Sequence, residues 1–254
     1  MIEILTDEEL IKMQKAGRLV ALVLKELAKA AKPGVSTLEL DLLSQKIIRE
    51  AGGTAPCIGY GEPPFPAAIC TSVNEVVVHG IPSDSEILKE GDIVTCDVVA
   101  ELDGFMGDAA RTFEIGKVSE EKHLLIARTK ECFFKGLEKA VEGNRIGDIS
   151  YTVQQHAESF GYGVVRELTG HGIGREMHQD PEVPNYGKPG RGARIKKGMA
   201  FCIEPMITMG NRNVTLGYDG WRVETLDGSP AAHYENTVII TDQGPVMTTF
   251  EEDI

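Results

Sequence analysis

Cysteine is scarce and unpaired in this chain of 254 residues. Cys57, Cys70, Cys96, Cys132 and Cys202 are an odd number, widely spaced, with no C-x-x-C pair. That pattern excludes a disulfide framework and argues against a thiolate metal site; it suits reduced, buried thiols. Basic residues are also in deficit, 26 Lys and Arg against 39 Asp and Glu, a formal net charge of −13. A nucleic-acid-binding face needs clustered cations, so none is expected. No apolar run approaches the ~18 residues of a membrane span. The opening MIEILTDEEL lacks the basic start and apolar run of a signal peptide, and a cytoplasmic protein is expected. Neither a G-x-x-x-x-G-K-[ST] loop nor G-x-G-x-x-G, H-E-x-x-H or G-x-S-x-G occurs. No low-complexity or Ser/Gly-rich linker interrupts the chain, which argues for one domain over 1–254.

What is present is a series of capped helices and β-rich runs. Thr6 and Glu9 form a capping box before the apolar positions Leu10, Ile11, Val20, Leu24 and Leu27, predicting a helix to about Ala31, stopped by Pro33-Gly34. Ser36 and Glu39 repeat the signal for a helix ending at Gly52-Gly53. Further helices are expected near 119–141, opening at Ser119, and near 148–160, opening at Asp148. The β-rich runs are 73–81, 92–100, 105–115, 199–208 and 234–242.

The order of these signals repeats. A helix lies between Gly34 and Gly52 and another between Gly143 and Gly161, the same spacing. Then come 79-HGI-81 and 171-HGI-173, then 89-KEGDIVTCD-97 and 196-KKGMAFCIE-204, each with an acid six residues after its glycine. Asp103-Gly104 precedes Asp108 as Asp227-Gly228 precedes Glu235. An internal duplication is expected, with halves of about 1–116 and 117–254.

Asp103-Gly104 is a strong two-residue hairpin signal. With those residues as the loop, Leu102 pairs with Phe105 and Val99 with Asp108, which puts Asp97 and Asp108 diagonally on one face. Two unpaired anions in an apolar setting cost several kcal/mol, a conflict that a bound cation resolves. The duplication predicts two more acids in matching places, Glu204 and Glu235. Four carboxylates carry a charge that two divalent cations balance. His171, flanked by glycines in 169-TGHGIG-174, is a candidate nitrogen ligand, and such a shell suits Mn, Fe(II), Co or Zn. Simpler readings compete: Asp108 could pair with Arg111, Glu204 before Pro205 could end a strand, and His123 and His156 lie on helices as ordinary histidines.

The runs 76-VVVHGIP-82, 92-DIVTCDV-98, 103-DGFMGDAARTF-113, 169-TGHGIGREMHQDP-181, 203-IEPM-206 and 235-ENTVIIT-241 together resemble the type I methionine aminopeptidases, in order from about residue 5 to 248. The resemblance implies a pita-bread fold of class α/β (α+β), two pseudo-symmetric halves around a dinuclear metal centre, and an activity that removes initiator methionine from nascent polypeptides when the second residue is small. It implies Asp97, Asp108, His171, Glu204 and Glu235 as metal ligands, with Asp108 and Glu235 bridging. It implies His79 near the scissile amide nitrogen, His178 near the carbonyl oxygen, and Glu204 as a proton carrier for hydrolysis by a metal-bridging water. It implies a methionine pocket of Cys57, Tyr60, Phe65, Cys70, Met177 and Trp221. Within it, 57-CIGYGEPPFPAAIC-70 is about two residues longer than the common form, Phe65 stands where Tyr is frequent, and Met177 where Phe is frequent. A monomer is the family default, and ribosome docking is an expectation without a residue attached to it.

Three rivals share the fold. X-Pro peptidases usually carry an extra N-terminal domain, and this chain starts almost at the first shared helix. Metal-free pita-bread scaffolds have lost ligands that are all present here. The type II enzymes insert a helical segment where only 33 residues separate His171 from Glu204.

Overall fold

The computed structural model describes residues 2–250. Among them are four helices, α1 (Asp7–Ala30), α2 (Thr37–Glu50), α3 (Glu120–Leu137) and α4 (Ile146–Ser159). The strands in chain order are β1 (Ile69–Val73), β2 (Val76–Val78), β3 (Ile93–Leu102), β4 (Phe105–Glu114), β5 (Gly163–Val164), β6 (Gly170–Gly172) and β7 (Gln179–Val183). They continue with β8 (Ala200–Ile203), β9 (Met206–Thr208), β10 (Val214–Leu216), β11 (Val223–Thr225), β12 (Ala231–His233), β13 (Asn236–Thr241) and β14 (Gly244–Met247). The sheets run β1-β3-β4, β10-β11-β2, β12-β9-β5 and β14-β13-β8-β6-β7, antiparallel at every pairing.

Both capping boxes form: the Thr6 hydroxyl accepts from Glu9 N–H while Glu9 accepts from Thr6 N–H, and Ser36 and Glu39 do the same. Helix α4 starts earlier than its Asp148 signal suggested. Arg145 is the N-cap, and Asp148, at the third helical position, reaches back to accept the Arg145 N–H. An acid at the third helical position carries the same sequence signal as a cap, which accounts for the difference.

The hairpin β3–β4 has the expected register, Leu102 opposite Phe105 and Val99 opposite Asp108. Asp103 and Gly104, at φ 55° and 78°, turn it with the two left-handed residues that such a tight loop demands. Alternation then sorts its two faces. Val94, Cys96, Val98, Ala100 and Ala109 pack with Leu19, Val20, Val23, Leu24 and Leu27 of α1. Asp97, Val99 and Asp108 point the other way.

A second apolar cluster joins Phe201 and Ile203 of β8 and Val238 and Ile240 of β13 to Phe133 of α3 and Ile149 and Val153 of α4. Here too the opposite parity, Cys202, Thr237 and Ile239, faces away from that cluster. The β-rich runs divide more finely than the sequence suggests. The run 199–208 breaks after Ile203, because Pro205 has no N–H to continue a ladder. The last run begins pairing with β8 only at Asn236, since the Glu235 N–H bonds to the Ala110 carbonyl of β4 instead. The run 73–81 holds the end of β1, a turn and the short β2.

Candidate metal centre and its pocket

Asp97 and Asp108 lie on the inward face of the β3–β4 hairpin, with Asp108 buried. Glu204 follows the last residue of β8, and Glu235 lies between β12 and β13; both are buried. Hydroxyls tie β4 to this second group. The Thr237 hydroxyl accepts the Asp108 N–H and donates to the Asp108 carbonyl, both at 2.9 Å. The Thr112 hydroxyl makes the same pair of contacts with His233, both at 3.0 Å. Asn185 donates to the Glu204 carbonyl at 2.9 Å.

Arg111 does not pair with Asp108. Its guanidinium donates to the carbonyls of Ala110 and Glu235 and to Asn236, and stacks 4.2 Å from the Tyr234 ring centroid. It braces the backbone behind the acids, and its charge offsets only a small part of the burial of Glu235.

His171 enters from β6. Glycines on both sides are required by close approach: a Cβ at Gly170 would lie 2.5 Å from the Cys202 carbonyl, and one at Gly172 2.0 Å from the Asp180 carbonyl. His171 Nδ1 lies 3.1 Å from the Gly172 carbonyl, which fixes the tautomer and leaves the Nε2 lone pair facing Asp108 at 3.7 Å and Glu204 at 3.6 Å.

The electrostatics of the bare side chains are unfavourable. Burial pushes Asp97 up to about 6, opposed in part by a hydrogen bond with Asp108. Asp108, Glu204 and Glu235 are pushed well above the usual carboxylate range, first by burial and then by one another's charges. Burial lowers His171 to about 4, keeping the imidazole neutral. Asp97 Oδ1, Asp108 Oδ1 and Glu235 Oε1 are buried with no hydrogen-bond partner. Orphaned, mutually repelling oxygens beside a neutral imidazole are a donor set that fits divalent cations. The ligand atoms of Asp108, His171, Cys202 and Glu235 lie within 4.8 Å of one another, as do those of Asp97, His233 and Glu235. Cys202 is the weak member: burial and the surrounding carboxylates raise its thiol well above the usual range, and its sulfur lies 3.7 Å from the Thr237 hydroxyl.

The residues that the resemblance assigns to metal and substrate all line one cavity of about 180 Å³. Cys57, Phe65, Cys70, Val99 and Met177 form its buried apolar wall, with Trp221 packed against them. Phe65 meets Trp221 edge to face at 5.2 Å between centroids. The indole N–H is held by the Pro63 carbonyl at 2.9 Å, a contact provided by the long 57–70 segment.

His79, with φ 59°, adopts a left-handed backbone that a histidine rarely takes, and its ring meets Trp221 at 5.9 Å between centroids. The next residue must be glycine, since a Cβ at Gly80 would lie 2.0 Å from the Thr71 carbonyl. At the exposed rim, His178 Nδ1 lies 2.7 Å from the Tyr60 hydroxyl, and its ring sits 4.3 Å from that of His171. Burial lowers both His79 and His178.

His233 is the residue that sequence reasoning missed. It lines the same cavity, fully sequestered, and burial lowers it to about 3. A signal was available: in extended chain, residues two apart share a face, so 233-HYE-235 places His233 beside Glu235. His123 and His156 lie elsewhere, beside Glu114 and Glu131.

The chain is similar over nearly its whole length to known proteins. The profile of metallopeptidase family M24 matches residues 11–242. A methionine aminopeptidase of Clostridium acetobutylicum is 55% identical over 252 residues, covering 99% of this chain and 100% of that protein. The crystal structure of a methionine aminopeptidase from Rickettsia prowazekii superposes with a TM-score of 0.96 at 42% identity, covering 98% of this chain and 100% of the other. One from Thermotoga maritima does so with a TM-score of 0.96 at 42% identity, covering 99% and 100%.

Proposed function

This chain belongs to metallopeptidase family M24, among its bacterial type I methionine aminopeptidases, and from that premise we propose which of its residues carry the chemistry. The fold is the pita-bread fold of those relatives, mixed α/β, and the activity is that of a metal-dependent exopeptidase removing initiator methionine. The carrying observation for the site is the convergence of four carboxylates on one cavity, three of them buried, with orphaned oxygens on Asp97, Asp108 and Glu235.

Two divalent ions fit the charge of Asp97, Asp108, Glu204 and Glu235. Asp97 would hold one ion, His171 and Glu204 the other, and Asp108 and Glu235 both. Mn, Fe(II), Co or Zn suits this oxygen-rich shell with nitrogen. When bound, such ions supply Lewis acidity toward a peptide carbonyl and lower the pKa of water.

The protein's own groups do the rest. The methionine side chain occupies the wall of Cys57, Phe65, Cys70, Met177 and Trp221, with Tyr60 at its mouth, where sulfur against aromatic edges is favourable. Glu204 accepts a proton from the attacking water and delivers it to the leaving amine. His178, with Tyr60 donating to Nδ1, presents Nε2–H to the carbonyl oxygen as charge develops there. His79 faces the scissile amide nitrogen. The free amine of the substrate would meet an ion or an acidic ligand, which fits exopeptidase action. Substrates are nascent polypeptides with a small second residue, met in the cytoplasm as they leave the ribosome, by a monomer. The 254 residues act as one catalytic domain with halves of about 1–116 and 117–254; the threonine clamps between β4 and residues 233–237 support a single domain by tying the halves together.

The test is methionine release from Met-Ala-Ser by chelator-stripped protein, with and without each of the four metals, beside Ala-Pro-Ser. Metal-dependent release from the first peptide alone is expected. Cleavage of the second alone would overturn the pocket assignment.

A further inference from the structure

We infer that His233 is a sixth ligand of the metal centre, donating its Nε2 to the ion held by Asp97 and Glu235, so that each ion carries one imidazole. This rests on the two-ion reading above and adds a nitrogen donor to the half of the site that otherwise has oxygen alone.

The observations converge on the Nε2 atom. It lies 3.6 Å from Glu235 Oε2 and 4.0 Å from Glu204 Oε2. Ligand atoms of Asp97, His233 and Glu235 are mutually within 4.8 Å. Two donors each ~2.0–2.2 Å from one tetrahedral ion stand about 3.4 Å apart, close to the separation seen here. It is also beyond the ~2.7–3.2 Å of a hydrogen bond, so the carboxylate does not already satisfy the imidazole. Neither ring nitrogen of His233 has a partner, although the residue is 2% exposed. A core histidine kept for packing would be expected to find at least a carbonyl.

The side chain is also held in place. The Thr112 hydroxyl clamps its N–H and carbonyl, and His233 pairs with Met206 in the β12–β9 ladder. His171 offers the internal comparison: its Nε2 stands 3.6 Å and 3.7 Å from two carboxylates, nearly the same setting.

The test loads chelator-stripped protein with two equivalents of Co(II) and counts strongly hyperfine-shifted, solvent-exchangeable imidazole N–H protons by NMR. Two are expected in the wild type, from His171 and His233. In His233→Gln one should remain, and calorimetric titration should show one ion bound at least about tenfold more weakly with the other unchanged. A single such proton in the wild type, with two ions bound, would overturn the assignment whether or not the variant folds. So would unchanged affinities in His233→Gln. No uptake of Co(II) by the wild type would overturn the two-ion reading itself, and this ligand with it.

Discussion

The acids on the β3–β4 hairpin and those near β8 and β13 reach the same cavity by different means. Asp97 and Asp108 sit inside regular strands, aimed to one face by register. Glu204 and Glu235 sit where strands break: one before Pro205, the other in the gap between β12 and β13. Regular strands fix direction through alternation, even where a clamp such as Thr237 on Asp108 adds to it, whereas a break depends on its clamps. Those clamps are visible as Asn185 on the Glu204 carbonyl and Arg111 and Ala110 on the Glu235 backbone. A strand can therefore aim a carboxylate by alternation, whereas a break frees the carboxylate from the alternation of its neighbours.

Substitutions that remove acids should hit both regions hardest. Asp97→Ala and Glu204→Ala should each cost several kcal/mol of transition-state stabilisation, on the order of a thousandfold in kcat/KM for Met-Ala-Ser. An effect confined to one region would break the equivalence of the two.

Next come the hydroxyl clamps. Thr237→Val leaves the Asp108 N–H and carbonyl unpaired in a buried place, and Thr112→Val does so for His233. Each should lower stability by ~1–3 kcal/mol in urea titrations. Loss of activity beyond the loss of folded protein should follow only if those clamps also aim the ligands.

pH sharpens the contrast in chelated protein. Burial raises Asp97 from 3.8 to about 6, so between those values the folded chain binds more protons than the unfolded one. Stability contributed by this group is therefore present at low pH and lost as pH rises through about 6. The difference in Tm between chelated wild type and Asp97→Asn should shift against the wild type from pH 4 to pH 7, and saturating divalent metal should remove that trend.

The smallest effect is expected at the rim. Tyr60→Phe removes the hydroxyl 2.7 Å from His178 Nδ1 and should reduce kcat about threefold to tenfold with little change in metal affinity.

The same comparison explains what could be read from the chain. Asp103-Gly104 encodes its turn locally, and alternation then carries Asp97 and Asp108 to one face, so that pair was legible from residues alone. Glu204 and Glu235 were legible only through the repeated order of motifs, because no local rule says which way a broken strand turns its side chain. His233 was missed although its parity with Glu235 was available. The start of α4 was misplaced because an acid at the third helical position looks like a cap. The short strands β5, β6, β10 and β11 are two or three residues long, too brief for periodicity to announce.

The central claim is that these separate segments build one two-ion centre. Anomalous diffraction from crystals soaked in Mn(II) at saturation tests it most directly. Two peaks are predicted, one contacted by Asp97, the other by His171 and Glu204, with Asp108 and Glu235 touching both. A single peak at saturation, or peaks outside this carboxylate cluster, would contradict it.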